Sequence, residues 1–142
     1  MAGLQTKSKK IALVIIPFWN IVSCHMWHIE PTTQWPKDQK WYEKKHPREL
    51  AAVLHNLQRY LDQLNAAPNA RAVQAGFLHH EPRGVVAVDQ KSGGKGLQET
   101  RLYTFADAGT ETMYLLTIGD KGSQSSDIKF CSDFVKSLKK ES

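Results

Sequence analysis

Two periods of apolar and polar residues organise the chain, and they occupy different halves of it. Leu50, Val53, Leu54, Leu57, Tyr60, Leu61 and Leu64 follow the i, i+3, i+4, i+7 spacing of an amphipathic helix, stopped by Asn65-Ala-Ala-Pro68. Just upstream, Thr32 and Thr33 with Pro36 make a helix start in which proline sits early, where its missing N–H costs least. Trp41, Tyr42 and Lys45 carry that helix to Pro47, so the pattern predicts a helical hairpin preceded by a short strand over Trp27–Glu30. Beyond it the grammar changes to strands. Val73–His80, Gly84–Asp89, Leu97–Phe105 and Thr112–Gly119 are rich in Val, Leu, Tyr, Phe and Thr and are separated by short Gly- or Pro-bearing turns. Such a run predicts an antiparallel sheet. Ser125-Ser-Asp-Ile then offers a serine cap, and Ile128, Cys131, Phe134, Val135 and Leu138 predict a closing amphipathic helix. The order is that of an α+β domain, expected to carry its helices on one face of the sheet and to leave the other face free.

Residues 1–25 differ from everything that follows. Lys7, Lys9 and Lys10 precede the apolar run Ile11–Cys24, which Pro17 and Asn20 interrupt. At 14 residues the run is shorter than the roughly 20 needed to span a bilayer. An export signal, a membrane-associated arm and an upstream extension with Met26 as the working start all fit this composition. We expect the extension, because a strand-like segment begins at Met26, and we divide the chain into a 1–25 extension and a 26–142 domain.

Length, charge and cysteines refine this outline. At 142 residues with 41% apolar content, the chain suits one compact domain. The net charge of +5 falls to +2 once the three lysines of the extension are set aside, leaving sixteen basic and fourteen acidic residues. Bulk charge therefore carries no nucleic-acid argument, and only local clusters can. The densest is Lys37, Lys40, Lys44, Lys45, His46 and Arg48, read either as a solvated helix face or as a contact for RNA phosphates. Cys24 and Cys131 lack CxxC or Cys/His spacing, so neither a disulfide framework nor a zinc site is indicated, and a reducing cytoplasm is the natural setting.

The chemistry-bearing pattern lies in "LQETRLYTF". Alternation along a strand puts Glu99, Arg101 and Tyr103 on one face. A guanidinium on an open sheet face can hold a phosphate through paired hydrogen bonds, while a neighbouring carboxylate or phenol moves a proton or the phenol stacks on a base. The plainer account makes Glu99 and Arg101 surface charges and Tyr103 part of a half-buried aromatic pair. Elsewhere, Gly93-Gly-Lys-Gly lacks the spacing of a phosphate-binding P-loop and reads as a hairpin loop, with Lys95 near enough to touch a backbone phosphate.

Met26-Trp-His-Ile-Glu, the helical hairpin, "LQETRLYTF" and "MYLLTIGDKGSQSSDI" leading into the last helix together resemble the RelE/ParE toxin superfamily of bacterial type II toxin–antitoxin systems. The resemblance covers residues 26–138 and implies a RelE-like fold, an antitoxin partner and no cofactor or metal. One branch of the superfamily cleaves messenger RNA on the ribosome, with the RNA's own 2′-hydroxyl attacking the adjacent phosphate. Another branch poisons DNA gyrase without chemistry, and an inactive relative that only binds its antitoxin is a third possibility. For the nuclease branch the resemblance implies that Arg101 binds the scissile phosphate, that Tyr103 stacks or assists proton transfer, and that Lys121 matches a position of proton transfer. Asp120 and Glu99 are weaker candidates for moving protons, and Gln124 for orienting RNA. His79, His80 and Arg83, on an earlier strand end, join Lys95, Lys44, Lys45 and Arg48 as candidate RNA contacts. This chain departs from the ribosome-dependent pattern in having its histidines on that earlier strand and not at the C-terminal end of the sheet.

Overall fold

The computed structural model describes residues 27–67, 69 and 72–141; the expected 1–25 extension and the proposed start at Met26 lie outside them. Strand β1 (His28–Pro31) leads into helices α1 (Trp35–Lys45) and α2 (Pro47–Ala66). Four strands follow, β2 (Leu78–His80), β3 (Val85–Asp89), β4 (Thr100–Asp107) and β5 (Thr112–Asp120), and then helix α3 (Gln124–Glu141). The chain is thus α+β, as the patterning predicts.

Local chemistry sets the helix boundaries. α1 and α2 each hold proline in their first turn, and α1 places Asp38 near its positive end and Lys44 and Lys45 near its negative end. Between them His46 leaves helical geometry while its N–H still reaches the Tyr42 carbonyl, which produces the hairpin bend. The predicted stripe from Leu50 to Leu64 is buried along its whole length. At the far end of the chain the stop before α3 is Asp120, not Ser125. The Asp120 carboxylate accepts from the Ser123 N–H (3.0 Å) and the Ser123 hydroxyl accepts from the Asp120 N–H (3.1 Å), closing a reciprocal cap over the turn Lys121–Ser123.

The sheet has the order β1-β5-β4-β3-β2 and is mixed, which corrects the antiparallel expectation. β1 pairs parallel with β5, while the other neighbours are antiparallel. A parallel partner is possible here because the whole helical hairpin and three strands intervene between the two, supplying the long connection a parallel pair requires.

The free face is also corrected. α1 and α2 cover one face, burying Val86, Val88, Leu102, Met113, Leu115 and Ile118. α3 lies on the opposite face, where Cys131 and Val135 pack on Val85, Ala87, Tyr103 and Leu116. β3 is buried at every position, which its unbroken Val-Val-Ala-Val run already suits, since a strand covered on both faces has no polar alternation to show. The β4–β5 pairing slips between Tyr103 and Thr104 of β4, leaving Leu116 as an extra residue in β5. This bulge reverses the alternation, so that Leu115 and Ile118 both face α1 and α2 while Leu116 and Gly119 face α3.

β2 and β4 are shorter or later than expected. β2 begins at Leu78, with the Phe77 carbonyl still accepting from the Asp89 N–H at 2.9 Å, and β4 begins at Thr100 because the preceding backbone is held by side chains instead. The Gln98 N–H donates to Glu49 Oε2 (2.9 Å) and the Thr100 N–H to Gln90 Oε1 (2.8 Å). Glu99 therefore stands just outside the strand.

Candidate functional site

The polar corner of the α3-side face is built by three strands. By register, Asp89 of β3 sits opposite Arg101 of β4, and His79 of β2 sits opposite Ala87 on the same face. His79 Nε2 lies 2.6 Å from Asp89 Oδ2. Asp89 is buried, and its other oxygen accepts the Lys91 N–H at 2.8 Å, with Lys91 Nζ 3.8 Å from the first. A carboxylate can only accept, so the imidazole carries its proton on Nε2 and leaves Nδ1 with no partner among the described residues. The His79 side chain keeps 28% of its surface open to solvent.

Arg101 lies beside this pair. Its guanidinium stands 3.3 Å from Glu99 and 3.6 Å from Glu81, and its buried Nε has no hydrogen-bond partner among the described residues. Glu81 is nearly covered whereas Glu99 is largely open, so an incoming anion would displace Glu99 first.

Tyr103 follows Arg101 on the same face, as alternation predicts, but α3 buries it completely. Its hydroxyl has no hydrogen-bond partner among the described residues, and burial, with the Asp127 carboxylate nearby, pushes the phenol well above its usual range. In this position it neither stacks on a base nor transfers a proton. The α3 cover replaces the open cleft expected around it.

The remaining predicted residues separate into distinct regions. Lys121 and Asp120 are exposed at the end of β5, and the Asp120 side chain is occupied by the cap before α3. Gln124 opens α3. His80 turns to the opposite face from His79, with Nε2 3.1 Å from the Val73 carbonyl oxygen, so the two histidines do not act together. Arg83 holds a left-handed backbone conformation (φ 65°) just before β3 and donates Nε to Ser132 Oγ on α3. Lys44, Lys45 and Arg48 are exposed on the helical hairpin, and Arg48 donates to the Lys95 carbonyl (3.1 Å), joining the hairpin to the β3–β4 loop. Thus the structure gathers Arg101, Glu99 and His79, and adds Asp89, Lys91 and Glu81. Asp89 carried a signal in the sequence, as the one charge closing an otherwise apolar strand; Lys91 and Glu81 carried none.

No family model, no curated protein and no solved structure matches the chain. Among the described residues no group of three or more His, Cys, Asp and Glu is arranged to hold a metal ion, and no helix is long and apolar enough to cross a membrane.

Proposed function

We propose that this chain is a toxin of the RelE/ParE type that cleaves messenger RNA on the ribosome and is held in check by an antitoxin in the cytoplasm. The observation that carries the reading is the His79–Asp89 pair next to Arg101 on one sheet face. In the proposed reaction His79 Nδ1 takes the proton of the RNA 2′-hydroxyl, and the resulting oxyanion attacks the adjacent phosphorus. Arg101 stabilises the charge that develops on the phosphoryl oxygens once the phosphate displaces Glu99. The P–O5′ bond breaks, the leaving oxygen takes a proton from solvent, and a 2′,3′-cyclic phosphate remains. Asp89 holds the imidazole tautomer and supports the imidazolium as it forms. The exposed cations Lys44, Lys45 and Arg48 supply contacts to ribosomal RNA phosphates.

A second reading is favoured by a specific observation: Arg101 is already held by two carboxylates, and Tyr103 is buried. A non-enzymatic toxin that traps DNA gyrase, or an inactive antitoxin-binding relative, needs neither group free. Expression of the full chain with and without an antitoxin separates these. Growth arrest with transcript cleavage, both abolished by Arg101→Ala, supports the nuclease; arrest with intact transcripts and gyrase-dependent DNA damage sinks it.

A further inference from the structure

A second constellation lies at the sheet edge, away from Arg101. β1 accompanies β5 only as far as Leu115, so Thr117–Gly119 border an open cleft of about 390 Å³ between α1 and the start of α3. Asp38 enters from α1, Asp120 from the end of β5 and Asp127 from α3. Each carboxylate is oriented by neutral donors: Thr117 Oγ1 to Asp38 (2.6 Å), the Ser123 N–H to Asp120 (3.0 Å) and Ser123 Oγ to Asp127 (2.7 Å). None of the three forms an ion pair among the described residues, and no Lys, Arg or His lines the cleft.

Two further observations point to an occupant. Tyr42 lines the cleft with its side chain only 6% exposed, and its ring contacts Trp41 and His46 while no side-chain hydrogen bond ties its hydroxyl to the described residues. The carboxylates of Asp38, Asp120 and Asp127 all act on that phenol, which burial and their charge push up to about 12. The hydroxyl meets the open cleft and is available to accept an N–H of a bound cation. In addition, the two large apolar side chains that stand exposed among the described residues, Trp41 (49%) and Phe130 (39%), both line this same cleft. Carboxylates with aromatic faces beside them are the recognition chemistry of an organic cation: charge pairing from the acids and quadrupole attraction from the rings. A metal ion would use neither aromatic.

We propose that the cleft between α1 and α3 binds a guanidinium or primary ammonium group, seated on Asp38 and Asp127 beside Tyr42 and flanked by Trp41 and Phe130. Such a group is carried either by a free polyamine or by a basic side chain of a protein partner. The site is independent of the proposed nuclease chemistry.

The test is an NMR titration of the full ¹⁵N-labelled chain with spermidine and, separately, with N-acetyl-arginine amide. Saturable shifts of the Gly119 and Ser123 amides and of the Trp41 indole N–H are expected. Saturation by spermidine alone identifies a free polyamine, and saturation by the arginine amide identifies a side chain. Asp127→Asn and Trp41→Ala should each weaken binding about tenfold or more, a difference of about 1.4 kcal/mol. Trp41 is exposed, so its replacement keeps the test open should an aspartate variant fail to fold. Linear, non-saturating shifts with both probes overturn the proposal. So do shifts reproduced by magnesium chloride at equal ionic strength, or unchanged affinity in the folded Trp41→Ala variant.

Discussion

His79 of β2 and Asp89 of β3 meet at 2.6 Å across neighbouring strands, with the histidine partly open and the aspartate buried. The burial of Asp89 makes the pair stiff: its oxygens are fixed by the imidazole on one side and by the Lys91 N–H on the other. Asn56 of α2 holds the same segment from beneath, donating to the Asp89 and Lys91 carbonyls at 2.8 and 2.9 Å.

That support is testable without touching the pair. Asn56→Ala leaves two carbonyls short of a donor, one of them buried, and should lower stability by about 1–3 kcal/mol. Urea denaturation followed by circular dichroism reads this directly, and an unchanged midpoint would remove Asn56 from the account.

Tyr103 gives a prediction of opposite sign. Its hydroxyl is buried without a partner among the described residues, so Tyr103→Phe should leave stability unchanged or raise it by up to about 1 kcal/mol. Transcript cleavage should persist in the same variant. A loss of cleavage with stability intact would return the phenol to the chemistry.

Gly119 is required by its neighbour. A Cβ at this position would run into the Asp127 carboxylate and the Ser123 hydroxyl. Gly119→Ala should therefore destabilise the protein by about 1–3 kcal/mol through overpacking. Adding Asp127→Ala should recover part of that loss, because the two residues touch and their effects should not add. Thermal melts of the single and double variants measure the coupling.

Asp127 also predicts a pH dependence. Burial raises its pKa above the ordinary 3.8, the Asp38 and Asp120 charges add to the shift, and the Ser123 hydrogen bond partly opposes it. The folded form thus holds its proton to higher pH than the unfolded chain does. Its ionisation costs stability that appears as pH rises above about 3.8 and is complete above the raised folded value. Asp127→Asn should accordingly melt higher than the parent at pH 7, and the difference should shrink as pH falls below the carboxylate range. A variant that melts lower at pH 7 would contradict the assignment.

The sequence was informative wherever one period sufficed. The heptad-like stripe from Leu50 to Leu64 placed α2, and the late apolar positions Ile128, Cys131 and Val135 placed α3, because burial on one side of a helix leaves a pattern that does not depend on the partner. The sidedness of the sheet was harder. Nothing local to α3 states which face it will cover, and the clue lay elsewhere, in the uninterrupted Val85-Val-Ala-Val88 run. Alternation made Tyr103 a neighbour of Arg101, and of its two readings the plainer one, a half-buried aromatic, lies nearer the structure, because α3 covers the face expected to be free. The His79–Asp89 contact spans a turn with a left-handed Arg83 and depends on register, which single-residue spacing does not encode. The β5 bulge at Leu116, which brings Gly119 beneath Asp127, likewise left no mark in the alternation.

In the proposed nuclease His79 moves the proton in an RNA cleavage assisted by Arg101. The decisive measurement is the rate of message cleavage on programmed ribosomes for the parent, His79→Ala and Arg101→Ala chains, with the product ends identified. Loss of the histidine should slow cleavage by roughly 10²–10⁴-fold, with folding intact and 2′,3′-cyclic phosphate ends in the parent reaction. Cleavage by His79→Ala at the parent rate, or intact messages with the parent protein itself, would contradict it.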